Sequence, residues 1–258
     1  MTTPLYISFG YRCTSAGLLK RMGLKTESHP FDWMVSRLSV IQDCISTNFA
    51  HFLHANYTCR PTITASYEPH ESEMDVHVCD ESVWLNEKYS FLPPSPEHTS
   101  KYWRIFGRDT YSYPMAFNHH NMLLPETREY FVRCIERLRE ALHNRQIHYL
   151  YIHPIQDVGE HTDNVSQLMD DFSRFHHHLS GETKSPPTGL FILPVRTQHP
   201  YPITDYYKSP VKTLVKTADG MTIVVLYCNR DIVDAGEIWY RNGFIEEELA
   251  IQCIREIL

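Results

Sequence analysis

Apolar residues recur along the chain with two spacings, and the alternation between them sketches the architecture. Tyr6, Ile7 and Phe9 fit a short strand that ends at Gly10, where the chain can turn. Thr14 or Ser15 can cap a helix, and Ala16, Leu18, Leu19 and Met22 continue at helical spacing. After 28-SHPFDW-33, Met34, Leu38, Ile41, Ile45 and Phe49 mark one face of an amphipathic helix. From 54 to about 113 the pattern changes. Tyr, His, Glu and Pro dominate, 92-LPPSPEH-98 breaks regular structure, and only VHVCDESVWL carries a weak strand signal. This stretch reads as a loop-rich insertion or flap.

Order returns after Pro125. In 126-ETREYFVRCIERLREALH-143, Tyr130, Phe131, Cys134, Ile135, Leu138 and Leu142 share one face, opposite Glu/Arg pairs. The segment 147-IHYLYIH-153 comes next as a strand. Val165, Leu168, Met169, Phe172, Phe175 and Leu179 then hold helical spacing behind a capping 162-TDN-164. The runs 190-LFILPV-195 and 222-TIVVLYC-228 read as strands, the second continuous enough to be buried on both faces. A last helix spans about 244–258, with Ile245, Leu249, Cys253 and Ile257 inward. The order β-α-α, insertion, α-β-α-β-β-α predicts a single α/β domain over 1–258, a layered sandwich with a mainly parallel sheet.

Composition changes this picture little. Of 258 residues, 42% are apolar and 21% charged, an ordinary globular balance. The formal net charge of −7 argues against a general nucleic-acid binder, because phosphate neutralisation needs clustered Lys and Arg. No apolar run approaches the ~20 residues of a membrane span. The start MTTPLYISF has neither a basic region nor a small-residue cleavage site, so no secretory leader is expected. Seven cysteines, an odd number with no C-x-x-C pair, suit a reducing compartment and a cytoplasmic location. Cys134 and Cys253 fall on apolar helix faces and read as core.

Candidate chemistry centres on Cys13. A thiol between a strand end and a helix start sits at the positive end of the helix dipole, with Arg12 beside it, and both favour the thiolate. The same position also suits a structural cysteine. A nucleophile needs a base within hydrogen-bond reach. With sixteen histidines, the suggestive ones are His119 and His120 in 113-YPMAFNHHNML-123, and His153 at a strand end; each can equally be a surface or satisfied polar residue. Asp32, between Phe31 and Trp33, either orients or charge-balances a site or caps the helix from Trp33. Neighbouring helix positions point apart, so 176-HHH-178 and the His119–His120 pair make poor metal sites; no metal is expected. Phosphate-cradling glycine motifs and the G-x-S-x-G elbow are absent, and no cofactor is expected.

The string ISFGYRCTSAGLLKRMGLKTESHPFDW resembles the N-terminal signature of a family described as putative papain-like cysteine peptidases: I-S-L-G-x-x-C, an Ala-containing helix, a Leu-Lys/Arg segment, then P-F-D-W. A second block, 117-FNHHN-121 before an Arg-bearing helix at 128–139 and an apolar strand, is also similar. The likeness covers residues 5–155. It implies a thiol hydrolase or acyl-transfer enzyme with a protein or peptide substrate. Cys13 takes the nucleophile position, His119 the base with His120 as fallback, and Asp32 the P-F-D-W aspartate. Backbone N–H groups of Thr14 and Ser15 would hold the oxyanion. Two other readings stand beside it. One is a sugar- or nucleotide-handling transferase using Tyr201, Tyr206, Tyr207, Arg196 and Lys208. The other is a non-catalytic interaction protein contacting a partner through the insertion.

Overall fold

A computed structural model describes residues 4–10, 13–54, 56–66, 75–90, 114–117, 119–153, 156–157, 162–196, 212–216, 219–228 and 245–258. In chain order the strands are β1 (Leu5–Ser8), β2 (Val35–Ser36), β3 (Tyr57–Ser66), β4 (Asp75–Asn86), β5 (Met115–Phe117), β6 (Ile147–Ile152), β7 (Gln156–Asp157), β8 (Thr188–Arg196), β9 (Lys212–Lys216) and β10 (Met221–Cys228). The helices are α1 (Thr14–Arg21), α2 (Leu38–Ser46), α3 (Ala50–His54), α4 (Glu87–Ser90), α5 (Pro125–Asn144), α6 (Thr162–Glu182) and α7 (Ile245–Ile257).

The main sheet runs β1-β6-β8-β10-β9, with β7 paired to β8. Its first four strands are parallel, and β9 closes the edge antiparallel to β10. Strand periodicity sends alternate residues to opposite faces, and the buried side chains divide accordingly. Tyr149, Tyr151, Phe191, Leu193, Ile223 and Val225 join the core shared with α2, α5 and α6. Leu150, Ile152, Leu190, Ile192, Val224 and Leu226 instead meet Leu18 and Leu19 of α1 and Ala250, Cys253 and Ile254 of α7. Helices therefore cover both faces, which explains why β8 and β10 read as unbroken apolar runs. The expected α/β sandwich with a mainly parallel sheet is what forms.

Two expectations about local structure need correction. Residues 34–49 do not make one helix: Val35–Ser36 pair with β5, α2 starts only at Leu38, and Asn48 and Phe49 take positive φ values of 53° and 61°. Such values end a helix for residues bearing a Cβ. Met34, Leu38, Ile41, Ile45 and Phe49 are all buried nonetheless, so their periodicity reports burial across a break. In the insertion, VHVCDESVWL does lie within a strand, β4, but its long partner β3 carries no comparable signal in the sequence. The two are antiparallel in a second sheet of order β2-β5-β4-β3, with a register shift between Pro61 and Thr62. The shift falls beside a proline, which has no N–H to give the ladder, and leaves positions 80 and 81 of β4 unpaired.

Candidate functional site

Cys13 is the residue that caps α1. Its φ and ψ are −58° and −11°, and its side chain makes no capping hydrogen bond. Cys13 is a partly exposed residue, whereas Cys44, Cys134 and Cys253 are buried. Burial pushes the Cys44 thiol up to about 12, and burial also raises Cys134. Arg12, expected beside Cys13, lies outside the described residues.

The end of β1 is fixed on three sides. Phe9 N–H donates to Leu150 O at 3.0 Å, continuing the β1–β6 ladder. Ser36 Oγ donates to Gly10 O at 3.4 Å, bringing the start of α2 to the same place. In the first turn of α1, Ser15 Oγ accepts from Ile152 N–H at 3.2 Å. That last bond ties the turn opened by Cys13 to the strand end that carries His153. Ser15 therefore serves the sheet, and the capping position falls to Cys13.

His153 is buried, its ring lying 5.9 Å from those of Tyr151 and Phe172. It lines a cleft of about 270 Å³ between the start of α2 and α6, together with Arg37, Gln42, Tyr151, Phe172 and Arg174. Cys13 does not line this cleft; it lies on the α1 side of the β6 terminus. Sequence reading misses both arginines, and 137 positions separate them, so no local spacing could have joined them.

The remaining candidates gather along α5. His119 is exposed. His120 is half-buried, stacked on Tyr130 at 5.3 Å and edge-on to Phe131 at 5.0 Å. Burial, then the neighbouring His119, lowers its pKa. Tyr130 in turn meets Ser28 and Cys134 and feels the charge of Asp32, and burial pushes its phenol up to about 12. Asp32 is fully buried. Its Oδ2 accepts from the Lys25 ammonium and from His29 N–H at 2.7 Å. Burial raises its pKa, and the Lys25 cation opposes that rise. Asp32 does not cap the helix, because α2 begins six residues later and its capping position is Arg37. His29 is also buried, and neither ring nitrogen has a hydrogen-bond partner among the described residues. Desolvation, aided by Lys25, Arg137 and Arg145, drops its pKa to about 3. Its ring is thus neutral, and the 3.8 Å approach to Glu27 is not an ion pair at neutral pH.

His176, His177 and His178 diverge as helical geometry requires. His176 bonds Tyr149 Oη and Asp219 O, His178 meets Ser46 Oγ, and His177 is exposed. Among the described residues no three His, Cys, Asp or Glu side chains converge as a metal site, and no helix is long and apolar enough to cross a membrane. The loop with Tyr201, Tyr206, Tyr207 and Lys208 lies outside the described residues.

Residues 4–186 match the family described as putative papain-like cysteine peptidases. The chain belongs to that family. No curated protein and no solved structure matches it significantly.

Proposed function

We propose that this chain is a cysteine hydrolase acting on a peptide or related acyl link, with Cys13 as nucleophile. The carrying observation is a partly exposed cysteine at the head of α1, directly beyond a strand of a parallel sheet, in a chain of this family. Sites in such sheets collect beyond the strand C-termini. The first N–H groups of a helix have no intrahelical acceptor, so those of Thr14 and Ser15 suit an oxyanion.

In the proposed reaction Cys13 Sγ attacks the scissile carbonyl and an imidazole takes the thiol proton. The same imidazole returns the proton to the leaving amine, and water then hydrolyses the thioester. His119 is the proposed base, with His120 as fallback. Topology supports that choice: α5 reaches β6 within two residues, so its start and the adjoining His119 belong to the far end, where β1 delivers Cys13. His119 is exposed and His120 is packed, which favours the first as a mobile proton carrier. Asp32 acts as the charge balance for Lys25 beneath this end.

Competitive alkylation tests the proposal, because Cys59 supplies an exposed internal reference. Iodoacetamide at pH 7 should modify Cys13 at least roughly tenfold faster than Cys59, as an activated thiolate requires. His119→Ala should slow Cys13 alone. A Cys13 rate below that of Cys59 ends the reading; a rate that falls only in His120→Ala moves the base to its neighbour.

A further inference from the structure

We propose that Leu123 and Leu124, at the head of α5, form an apolar subsite for a peptide side chain on the amine side of the scissile bond. The assignment rests on the hydrolase reading for its orientation, and on the turn itself for its chemistry. Among the described residues the exposed large apolar side chains are Leu123 at 63%, Leu124 at 41% and Val132 at 39%. The two leucines are consecutive and lead directly into α5. The flanking positions His119, Glu126, Arg128 and Glu129 are polar and exposed.

The turn that carries the leucines holds them outward. Asn121 folds it twice over: its Oδ1 accepts from Leu123 N–H at 3.0 Å, and its carbonyl oxygen accepts from Leu124 N–H at 3.2 Å. Met122, between Asn121 and Leu123, is fully buried and anchors the turn. On the other side of Asn121, His120 stacks on Tyr130. The leucines are thus fixed where the hydrophobic effect opposes them. Leu124 opposes the local helix chemistry as well. It occupies the N-cap of α5 with φ and ψ of −78° and 131° and makes no side-chain cap. From that extended conformation a Ser, Thr, Asp or Asn side chain bonds the first turn, and a leucine cannot. Residues that break two local rules at once are expected where function holds them.

Size and position name the occupant. At these exposures the leucines present no more than a few hundred Å² of apolar surface, short of the ~800 Å² per partner of a stable dimer. That area suits one apolar side chain. His119 is exposed two positions before Asn121, so the proposed base and the leucines flank one turn. In the proposed reaction the imidazole returns its proton to the leaving amine, so the amine half of the peptide passes His119. Its first side chains are the ones the leucines meet.

Binding of product-like peptides to the Cys13→Ala protein tests this without thiol chemistry. The amine-half probes are Ala-Ala-Ala-amide, Leu-Ala-Ala-amide and Ala-Leu-Ala-amide, each with a free amino terminus. The acyl-half probes are acetyl-Ala-Ala-Ala and acetyl-Ala-Leu-Ala with free carboxylates, and all five are titrated by NMR. We expect a leucine-bearing amine-half probe to bind about tenfold or more tightly than Ala-Ala-Ala-amide, within reach of burying one leucyl side chain. Leu123→Ser and Leu124→Ser should each remove the preference. Leu124→Ser should do so with the unfolding midpoint level or raised, because serine caps from that conformation. Val132→Ser, about two turns along α5, should leave the preference intact. Equal binding of the amine-half probes, no binding of any probe, or a preference confined to the acyl-half leucine overturns the subsite. So does an equal loss in Val132→Ser, self-association that Leu123→Ser abolishes, or a Leu124→Ser midpoint that falls as for a core leucine. Slow Cys13 alkylation beside an intact leucine preference overturns only the hydrolase.

Discussion

The rim of the parallel sheet and the flank of α5 both collect ionisable side chains, and they treat them in opposite ways. At the rim, Cys13 is partly exposed, Arg174 reaches solvent, and a cleft opens beside His153. Along α5, Asp32 is sealed, the Lys25 side chain is only 6% exposed, and His29 is held neutral. The first region keeps polar groups reachable; the second uses them as internal fasteners. Ser36, whose hydroxyl donates to Gly10 just beyond β1, lies only four positions after Asp32. The closed region thereby sets the path of the chain into the open one.

Removing the fastener should have the largest effect. Asp32→Ala strands the Lys25 ammonium in the interior and should cost about 3–5 kcal/mol in urea denaturation, the range for breaking a buried pair from one side. Replacing both partners by apolar residues, Lys25→Met with Asp32→Leu, should recover much of that loss. If Asp32→Ala instead unfolds normally and only the Cys13 alkylation rate falls, the aspartate belongs to the chemistry and the contrast between the regions collapses.

Acid should expose the same contrast at a smaller amplitude. The folded protein holds His29 with a pKa of about 3, against 6.5 for an ordinary histidine. Between those values the unfolded chain binds a proton that the folded one refuses, so stability present above pH 6.5 is lost as pH falls. The slope is ~1.4 kcal/mol per pH unit, or ~2 kcal/mol between pH 6.5 and 5. His29→Leu should remove that component without weakening the protein at pH 7, since it deletes buried nitrogens that lack partners. An unchanged acid slope in His29→Leu would show that the flank does not control acid sensitivity.

The sheet and its covering helices are legible in the sequence because both are written in local periodicity. The span 126–143 is α5 almost to the residue, and 222–228 is β10. Cys134 and Cys253 are core, as their helical phase implies. What escapes depends on distant partners. Two-residue β2 exists because β5 lies beside it, eighty positions away. β3 gains its order from pairing with β4. At the candidate site the strand-to-helix turn at Cys13 is readable, being local. Lys25 as the counter-ion of Asp32 is not, since nothing in the spacing separates an ion pair from a helix cap. The Arg37–Arg174 cleft forms only when α2 meets α6.

The smallest expected change in stability is the most informative about the rim. Cys13 makes no side-chain cap, and its helical φ and ψ would not place a serine hydroxyl to cap the first turn either, so Cys13→Ser should hold stability within about 0.5 kcal/mol. Were the cysteine structural, packed for its sulfur, the same change should instead lower the unfolding midpoint. Cys13→Ser therefore separates a residue kept for reactivity from one kept for packing, in a single denaturation curve compared with the parent. Paired with His119→Ala, whose exposed ring leaves no packing to lose, it asks whether the open region can be altered freely while the closed one cannot. Two level curves beside a steeply destabilised Asp32→Ala would establish that division; a drop in Cys13→Ser would move the cysteine into the closed set and remove the main support for a nucleophile.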